Sequence, residues 1–288
     1  MTAREPSVVV TGVSTGIGLA TARVLAGHGV RVFGSVRNPA DAERVRAELR
    51  ERFTPLVFDV TDAEAIRAAV PVVADRLGGE TLFGLVNNAG IAIGGPLIHQ
   101  PLEEVRRHLE VNTLGALAVT QAFAPLLGAD RARTGNPGRI VNISSVAGRI
   151  SAPFLGAYAG SKRALEGMSH SLRRELMIFG IDVIIVNPGS VVTPIWDKAE
   201  QNTPSRYAGT DYEPMLERFL ERALRSGRSG LPPEAVGEVV WTALTARRPR
   251  TFYPVVRRRL LNWTIPLALP ARVIDRLIAK RLRSSREG

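Results

Sequence analysis

Short apolar runs alternate with helical patterns along most of this chain, and this alternation constrains its fold more than any other feature. Within the runs, apolar residues follow one another without polar ones between them, which is typical of strands buried on both faces. The pattern therefore predicts an α/β fold in which helices cover both faces of a parallel sheet. The six runs lie at residues 8–12, 30–36, 56–60, 82–87, 139–144 and 182–188, and a last strand is predicted at residues 251–256.

The first run leads into a segment rich in glycine, which then opens a helical pattern. Gly12, Gly16 and Gly18 are spaced as G-x-x-x-G-x-G. Glycines let a backbone approach a pyrophosphate closely, and the free N–H groups at a helix start receive its negative charge. A plain tight turn with a helix cap is the alternative. Because a strand precedes the segment and a helix follows it, we predict a dinucleotide site.

The ends of the next strands carry polar residues. Dinucleotide folds often place a carboxylate after the second strand to bond the ribose 2′-hydroxyl, but here Arg37 follows Val36. A guanidinium suits a 2′-phosphate, so we expect NADP(H) rather than NAD(H), unless Arg37 is only a solvated loop charge. Asp59 follows the third strand, and residues 61–64 predict a capping box for the next helix.

Asn87 and Asn88 end the fourth strand, where buried amides must find hydrogen-bond partners. They either brace the sheet or contact the cofactor. Residues 102–127 predict one long helix that contains Asn112. Asparagine is unfavourable inside a helix, so Asn112 either faces solvent or has a function.

A tyrosine and a lysine stand four residues apart at the start of another helical pattern. Tyr158 and Lys162 therefore share one face of the helix, and Ser145 ends the neighbouring strand. A nearby ammonium favours the phenolate and lowers the pKa of a tyrosine, which suits it to proton exchange with a substrate. The spacing alone is also compatible with an ordinary helix surface.

The composition narrows the classes of function. The 288 residues are 45% hydrophobic and 23% charged, and the chain has no cysteine, which excludes disulfides and thiolate metal sites. Its four histidines have no metal-ligand spacing, so we expect no metal site. We find no signal peptide and no apolar run of roughly 20 residues, and we expect a cytoplasmic protein.

The net charge of +11 is concentrated near the C-terminus. Residues 250–288 contain ten Lys or Arg and two Asp or Glu, and so carry +8 of this charge. The body is only weakly basic, which argues against a nucleic-acid partner. Residues 271–282 are amphipathic, and they either dock on the protein or bind an anionic membrane surface. We expect docking, with at most peripheral membrane contact.

A long polar segment at residues 190–231 interrupts the alternation and contains an amphipathic stretch at residues 215–224. Segments of this length inside a compact domain are often lids or binding loops. We therefore predict a nucleotide-binding catalytic domain at residues 1–256, which includes this substrate lid. A basic amphipathic extension follows at residues 257–288.

These motifs, taken in order, resemble those of the short-chain dehydrogenase/reductases. The resemblance covers residues 7–256 and implies a single Rossmann-type domain, a doubly wound sheet of about seven parallel strands. In that family a serine lies thirteen residues before the tyrosine, which selects Ser145 rather than Ser144. The matching residues are Thr11, Gly12, Gly16, Gly18, Asn87, Asn88, Ala89, Gly90, Asn112, Ser145, Tyr158, Lys162, Pro188, Gly189 and Thr193.

The resemblance also implies the catalytic roles. Tyr158 would be the acid/base, and Lys162 would lower its pKa and hold the nicotinamide ribose. Ser145 would hydrogen-bond the reacting oxygen. Asn112 would hold a water molecule that links Lys162 to solvent, which accounts for an amide inside a helix.

The same resemblance implies the cofactor contacts. Asp59 would bond the adenine amine, and Val191 and Thr193 would hold the carboxamide. Some NADP-preferring members have a basic residue where this chain has Thr15, so the expectation of NADP(H) depends mainly on Arg37. The full predicted set is Gly12, Ser14, Thr15, Gly16, Ile17, Gly18, Arg37, Asp59, Val60, Asn88, Ala89, Gly90, Tyr158, Lys162, Pro188, Gly189, Val191 and Thr193.

The expected activity is the NADP(H)-dependent interconversion of a secondary alcohol and its ketone or aldehyde by hydride transfer. Residues 32–39 and the basic C-terminus resemble the branch of retinol and 17-beta-hydroxysteroid dehydrogenases, which suggests a lipophilic small-molecule substrate. Two alternatives stay open: a 3-oxoacyl-carrier-protein reductase, and a non-catalytic NADP-sensing regulator on the same fold. The family resemblance further implies a homodimer or homotetramer.

Overall fold

The computed structural model describes residues 5–197 and 205–283 of the chain, without the side chains of residues 205 and 281–283. Its centre is a sheet of seven strands: β1 (Ser7–Val10), β2 (Arg31–Val36), β3 (Phe53–Val57), β4 (Gly84–Asn87), β5 (Arg139–Ile143), β6 (Asp182–Pro188) and β7 (Phe252–Val255). All neighbouring strands are parallel, and their order is β3-β2-β1-β4-β5-β6-β7. The predicted Rossmann-type fold is confirmed.

The described helices are α1 (Gly16–Gly27), α2 (Pro39–Leu49), α3 (Ala63–Leu77), α4 (Leu102–Leu109), α5 (Gly115–Phe123), α6 (Gly156–Glu175), α7 (Glu213–Arg228), α8 (Glu234–Thr245), α9 (Ile265–Ala268) and α10 (Ala271–Arg283). They cover both faces of the sheet because successive strand residues point to opposite sides. Val8 and Val10 join the core that contains α1 and α8, whereas Val9 joins the core that contains α3 and α5. All three valines are fully buried.

The strand order reverses between β1 and β4, and this reversal locates the ligand crevice. The chain first builds β2 and β3 on one side of β1, and then crosses to β4 on the other side. Ligands of open α/β sheets bind outside the carboxyl ends of the strands at such a switch point. The segment after β1 and the segment after β4 therefore face each other at this edge.

The third strand lies earlier than predicted, at Phe53–Val57 instead of residues 56–60. It contains Pro55, which lacks an N–H for the ladder, and this is tolerated because β3 is an edge strand. The predicted capping box at residues 61–64 is also wrong in its cap residue. Asp62 caps α3 by accepting from the N–H groups of Glu64 and Ala65, both at 3.0 Å.

The predicted helix at residues 102–127 is divided into α4, a wider π-helical turn at Glu110–Leu114, α5 and a final 3₁₀ turn. Asn112 lies in the π turn and is buried. π turns inside helices frequently mark functional sites, since they change which side chains point inward. The expectation that Asn112 is more than an exposed amide is therefore consistent with its position.

The predicted lid begins and ends at the same place on the body, because Val191 and Leu231 form a parallel bridge. Its amphipathic stretch is the middle of α7, and its residues 198–204 lie outside the described part of the chain. The predicted amphipathic tail forms α10. Across residues 5–197 and 205–283, every helix is too short or too polar to span a lipid bilayer.

Candidate active site

The glycine segment between β1 and α1 is built for close approach of a ligand. Gly12 and Gly16 have φ angles of 71° and 60°, in the left-handed region that favours glycine. A Cβ added at Gly18 would overlap the carbonyl oxygen of Gly12 and the amide of Asn88. Thr15 precedes α1 without capping it by its side chain. Free N–H groups at this helix start fit a pyrophosphate, so the segment fits the expected dinucleotide.

The segment after β4 is joined to the glycine segment by a small hydrogen-bond network. Thr11 Oγ1 accepts from the backbone N–H groups of Asn88 and Ala89 at 2.9 and 3.0 Å. Asn88 Nδ2 donates to the carbonyl oxygens of Thr11 and Gly12 at 2.9 and 3.2 Å. The side chain of Asn88 thus braces the cleft. Thr11, which matched the family motif but was not in the predicted cofactor-binding set, connects the two segments that form it.

Asn87 belongs to the sheet and not to the cleft. Its Nδ2 donates to Thr120 Oγ1 at 2.9 Å and to Asn142 Oδ1 at 2.8 Å, and the residue is buried. Of the two alternatives left open by the sequence, bracing of the sheet therefore describes Asn87.

Two guanidinium groups lie near the glycine segment. Arg37 is exposed directly after β2. Arg44, which the sequence analysis did not select, donates from α2 to the carbonyl oxygen of Ser14 at 2.6 Å and to Asp41 at 2.7 Å. The hydrogen bond from Arg44 is the main cause that lowers the pKa of Asp41, and the charge of Arg37 adds to it. A basic edge therefore borders the cleft where β2 ends.

Asp59 follows β3 and is held in a fixed orientation. Its Oδ1 accepts from the backbone N–H of Thr61 at 3.0 Å and from the Thr61 hydroxyl at 2.9 Å. The neighbouring Val60 is buried and lies so close to Gly115 that a Cβ there would be 2.9 Å away. Both residues thus lie at the carboxyl edge of the sheet, as predicted.

The two serines after β5 have different partners. The Ser144 hydroxyl is buried and donates to Glu166 at 2.7 Å. The Ser145 hydroxyl accepts from the N–H of Ala147 at 3.1 Å, and it lies near enough to the phenol of Tyr158 to lower the pKa of that group. Of the two serines, Ser145 is therefore the one that acts on the pKa of Tyr158, whereas Ser144 is bonded to Glu166.

Burial governs the acidity of the tyrosine and the lysine. It raises the pKa of Tyr158, and the hydrogen bond with Ser145 opposes this increase. Burial lowers the pKa of Lys162 to about 8, against the charge of Glu166, and the ammonium donates to the carbonyl oxygen of Ile143 at 2.8 Å. The sequence predicted that Lys162 lowers the pKa of Tyr158. In the protein alone the pKa of Tyr158 is raised, because loss of hydration on burial is its largest cause, and the predicted effect of Lys162 stays a prediction.

Asn112 fixes the segment after β4 next to the lysine. Its Oδ1 accepts from the N–H of Ile91 at 2.8 Å, and its Nδ2 donates to the Ile91 carbonyl at 2.9 Å and to Ser161 Oγ at 2.9 Å. A Cβ on Gly90 would lie 3.0 Å from Asn112 Oδ1 and 3.5 Å from Lys162 Nζ. The predicted residues Gly90, Asn112 and Lys162 are thus neighbours.

His108 lies against Tyr158, although nothing in the sequence pattern singled it out. Its Nδ1 donates to the Glu104 carbonyl at 2.7 Å and its Nε2 accepts from the N–H of Ile93 at 3.0 Å, which defines a neutral tautomer. Burial lowers the pKa of His108. The ring meets that of Tyr158 edge-on at 6.5 Å, so α4 contributes one wall of the site.

In residues 5–197 and 205–283, His, Asp and Glu side chains form no group suited to a metal ion.

The start of the lid lies over the glycine segment. A Cβ on Gly16 would lie 3.3 Å from the Thr193 side chain. Trp196 Nε1 donates to the carbonyl of Val191 at 2.7 Å, and its ring packs where Gly227 of α7 leaves space. The predicted Pro188 and Gly189 end β6 beside β7, where the Gly189 N–H donates to the Val255 carbonyl at 3.0 Å.

The lid also forms an apolar cluster of its own with the segment that precedes α6. The Phe154 ring lies 5.5 Å from that of Phe219 and 6.1 Å from that of Tyr212. An ion pair between Arg206 and Glu104 ties the lid to α4. The cluster members are Phe154, Tyr207, Leu216, Tyr212, Met215 and Phe219.

Comparison with known proteins agrees with this geometry. The sequence model of the family described as short chain dehydrogenase matches residues 6–204. The chain is 38% identical over 275 residues to the NADPH-dependent 3-dehydrocapnine reductase of Ornithobacterium rhinotracheale, and 96% of each protein is covered. It is 36% identical to retinol dehydrogenase 5 of Mus musculus, with 96% of this chain and 88% of that protein covered. A short-chain dehydrogenase of known structure from Streptomyces avermitilis aligns over 100% of both chains, at 26% identity and a TM-score of 0.76.

Replacing Gly18 by alanine is expected to weaken NADPH binding at least about tenfold, because the added Cβ displaces Gly12 and Asn88. The measurement is a fluorescence titration with NADPH. Gly27→Ala is the matched control, since it lies on the same helix and an added Cβ has no atom within 4 Å. A folded Gly18→Ala protein with the affinity of the wild type would contradict the assigned pyrophosphate site.

Proposed function

The chain belongs to the short-chain dehydrogenase family, and on that premise we propose that it is an NADP(H)-dependent oxidoreductase that interconverts a lipophilic secondary alcohol and its ketone or aldehyde. The observation that carries the proposal is that Tyr158 and the buried Lys162 lie one turn apart on α6, with Ser145 near enough to the phenol to lower its pKa. These three side chains lie at the carboxyl edge of the sheet, where the glycine segment opens the nucleotide cleft.

Tyr158 is proposed as the acid in the direction of reduction. Its raised pKa means that the phenol holds its proton at neutral pH and has it available for the oxygen of a carbonyl substrate. Ser145 bonds the phenol from the neighbouring strand and is placed to orient the same oxygen. When bound, the nicotinamide cofactor supplies the hydride.

Lys162 is proposed to return a proton to Tyr158 after each turnover. With a pKa of about 8, its ammonium is mostly protonated at neutral pH but readily gives up a proton. Gly90 lies between Asn112 and Lys162 Nζ, and a Cβ added there would be within 3.5 Å of both side chains. We propose that this space holds the water molecule that connects Lys162 to solvent.

NADP(H) is the proposed cofactor for two reasons. Arg37 stands where a ribose-binding carboxylate would otherwise follow β2, and Arg44 adds a second guanidinium at the same edge of the cleft. In addition, one relative that is 38% identical over 96% of both chains is named as NADPH-dependent. Discrimination would then depend on attraction of the 2′-phosphate.

A lipophilic small molecule is the proposed substrate. The lid presents the aromatic cluster around Phe154 and Phe219, and its polar contacts run to α4 through Arg206. The modest charge of the body gives little reason to expect an acidic carrier protein, which weakens the alternative of a 3-oxoacyl-carrier-protein reductase. A non-catalytic NADP sensor would have no use for the Ser145–Tyr158 pair.

We propose that the protein works in the cytoplasm as a homodimer or homotetramer. Leu102, Leu109 and Leu114 are exposed along α4 and the π turn, at 70%, 39% and 51%. Such a row of apolar side chains is suited to a subunit interface. Light scattering would give the mass of the assembly, and a monomer at working concentration would contradict it.

Tyr158→Phe is expected to lower kcat at least about a thousandfold, because the ring stays in place while the transferable proton is lost. NADPH affinity should remain within about twofold of the wild type. Turnover is followed by loss of NADPH absorbance with a panel of long-chain ketones, aldehydes and steroid ketones. No turnover by the wild type, with NADPH still bound, would favour the sensor.

The neighbouring serines provide the matched control for this assignment. Ser145→Ala is expected to lower kcat by roughly a hundredfold, since the bond to the phenol is lost. Ser144→Ala should affect stability more than kcat, because Ser144 donates to Glu166 and not to Tyr158. Equal kcat for the Ser145→Ala variant and the wild type would contradict the role of Ser145.

Arg37→Asp is expected to raise the Kd for NADPH at least about tenfold relative to the Kd for NADH, since a carboxylate repels the 2′-phosphate and favours a ribose hydroxyl. Arg46→Asp is the control, because Arg46 lies on α2 with its own partner Glu43 at 3.0 Å. Both constants are obtained by fluorescence titration. An equal loss of affinity for both cofactors would remove the argument for a 2′-phosphate site.

We propose that the tail is anchored on the body and gives at most peripheral membrane contact. Trp263 is buried, and its ring lies 5.5 Å from that of Phe252 in β7. An interfacial tryptophan would instead sit at the lipid headgroups. Only a minor fraction is therefore expected to sediment with phosphatidylglycerol vesicles. Strong co-sedimentation that is lost when the chain is truncated before Leu260 would overturn the proposal.

A further inference from the structure

A buried carboxylate lies behind the catalytic pair and is not used by the mechanism proposed above. Glu166 is 2% exposed and lies on α6 one helical turn beyond Lys162, which itself lies one turn beyond Tyr158. A carboxylate removed from water is costly unless hydrogen bonds and opposite charges compensate it. The groups that stabilise the Glu166 carboxylate therefore indicate what its charge does.

Its hydrogen-bond partners are the strand ends that carry the site. Ser144 and Asn187 donate to Glu166 Oε1 at 2.7 and 2.6 Å. The same amide of Asn187 donates to the carbonyl oxygen of Ser145 at 2.9 Å. The carboxylate thus connects the end of β6, through Asn187, to the end of β5, through Ser144. Asn187 also holds the backbone of Ser145, the serine next to Tyr158.

Two cations flank the carboxylate. Arg149 Nε lies 2.5 Å from Glu166 Oε2, and its guanidinium lies 4.5 Å above the Phe252 ring. On the other side, the charge of Glu166 raises the pKa of Lys162 and opposes the larger effect of burial. The three side chains therefore form a row of alternating charge, with Arg149 at its more accessible end.

The other titratable groups around this row are few in the described part of the chain. His170 lies one turn further along α6, with Nε2 3.5 Å from Arg149, and burial together with neighbouring arginines lowers its pKa. From α4, the neutral His108 meets Tyr158 and not Glu166. The strand ends contribute uncharged side chains only. Glu166 is thus the carboxylate that acts on Lys162.

We propose that Glu166 is a positioning residue for the proton relay, and that Arg149 sets how much of its negative charge reaches Lys162. The carboxylate keeps Lys162 as an ammonium beside Tyr158 under conditions in which burial alone would remove the proton. A glutamine keeps the Oε1 acceptor for Ser144 and Asn187 but replaces the Oε2 that faces Arg149 with an NH2 donor, so the negative charge serves the two cations and not the strand ends. Only the consequence for turnover rests on the proposed function.

The direct test is a titration of Lys162 by NMR in the folded, full-length protein. The sequence has three lysines, so Lys198→Arg with Lys280→Arg leaves Lys162 as the only one to carry a ¹³Cε label. The expected midpoint in this background is about 8. Glu166→Gln should lower it by roughly one unit, and Arg149→Met, which keeps the contact with Phe252, should raise it by a smaller amount.

Shifts of opposite sign support the proposal, whereas an unchanged midpoint or two shifts of the same sign would overturn it. If Glu166→Gln does not fold, the sign of the shift in Arg149→Met decides alone. In turnover assays the alkaline limb of kcat/KM should move with the midpoint in each variant. A merely structural role would lower kcat at every pH without moving that limb. A wild type that reduces no carbonyl would remove the proposed function and still leave the titration to decide this inference.

Discussion

The close contact between the ends of β1 and β4 is the constraint on which the site depends. Gly18 leaves room for the Gly12 carbonyl and the Asn88 amide, and Thr11 accepts hydrogen bonds from the segment after β4. This contact lies where the strand order reverses, so it fixes the cleft and the helix start that points into it. It also determines where Gly90 lies, and Gly90 meets the lysine of α6. The cleft and its distance from the helix that carries Tyr158 and Lys162 are therefore both fixed by this backbone packing, and we expect a change at Gly18 to alter both.

Burial opposes charge along the inner face of α6. Burial of Lys162 disfavours its ammonium form. The carboxylate of Glu166, one turn away, and the Ile143 carbonyl, which accepts a hydrogen bond from Nζ, stabilise that form. That carboxylate is itself buried. It is stabilised by an ion pair with Arg149 and by hydrogen bonds from donors at two strand ends. Each buried charge in this row is stabilised by the opposite charge next to it. The row ends at Arg149, which is partly exposed to solvent. Through such coupling, residues that touch no substrate influence the protonation of Lys162.

The sequence predicted the parallel sheet and the family, because these depend on apolar runs and on motifs that follow one another in a fixed order. It misplaced β3, since Pro55 is acceptable only in an edge strand and the sequence does not state which strand is at the edge. It also missed Arg44 and Glu166, which occupy ordinary polar positions on helices. Their importance comes from partners that are distant in sequence: Ser14 for Arg44, and the ends of two strands for Glu166. A spacing of four from Lys162 was the one available signal for Glu166.

The order in which Lys162 and Tyr158 lose their protons as the pH rises bears on which direction of the proposed reaction is favoured. The pKa of Lys162 is lowered to about 8, while that of Tyr158 is raised, so in the protein alone the lysine gives up its proton first as the pH increases. At neutral pH both groups hold their protons, which is the state needed to protonate a carbonyl oxygen. Oxidation of an alcohol instead requires a phenolate, and burial disfavours that charge. Under the proposed function, this order of proton loss favours the direction of reduction, and the charge of Glu166 keeps Lys162 protonated to higher pH.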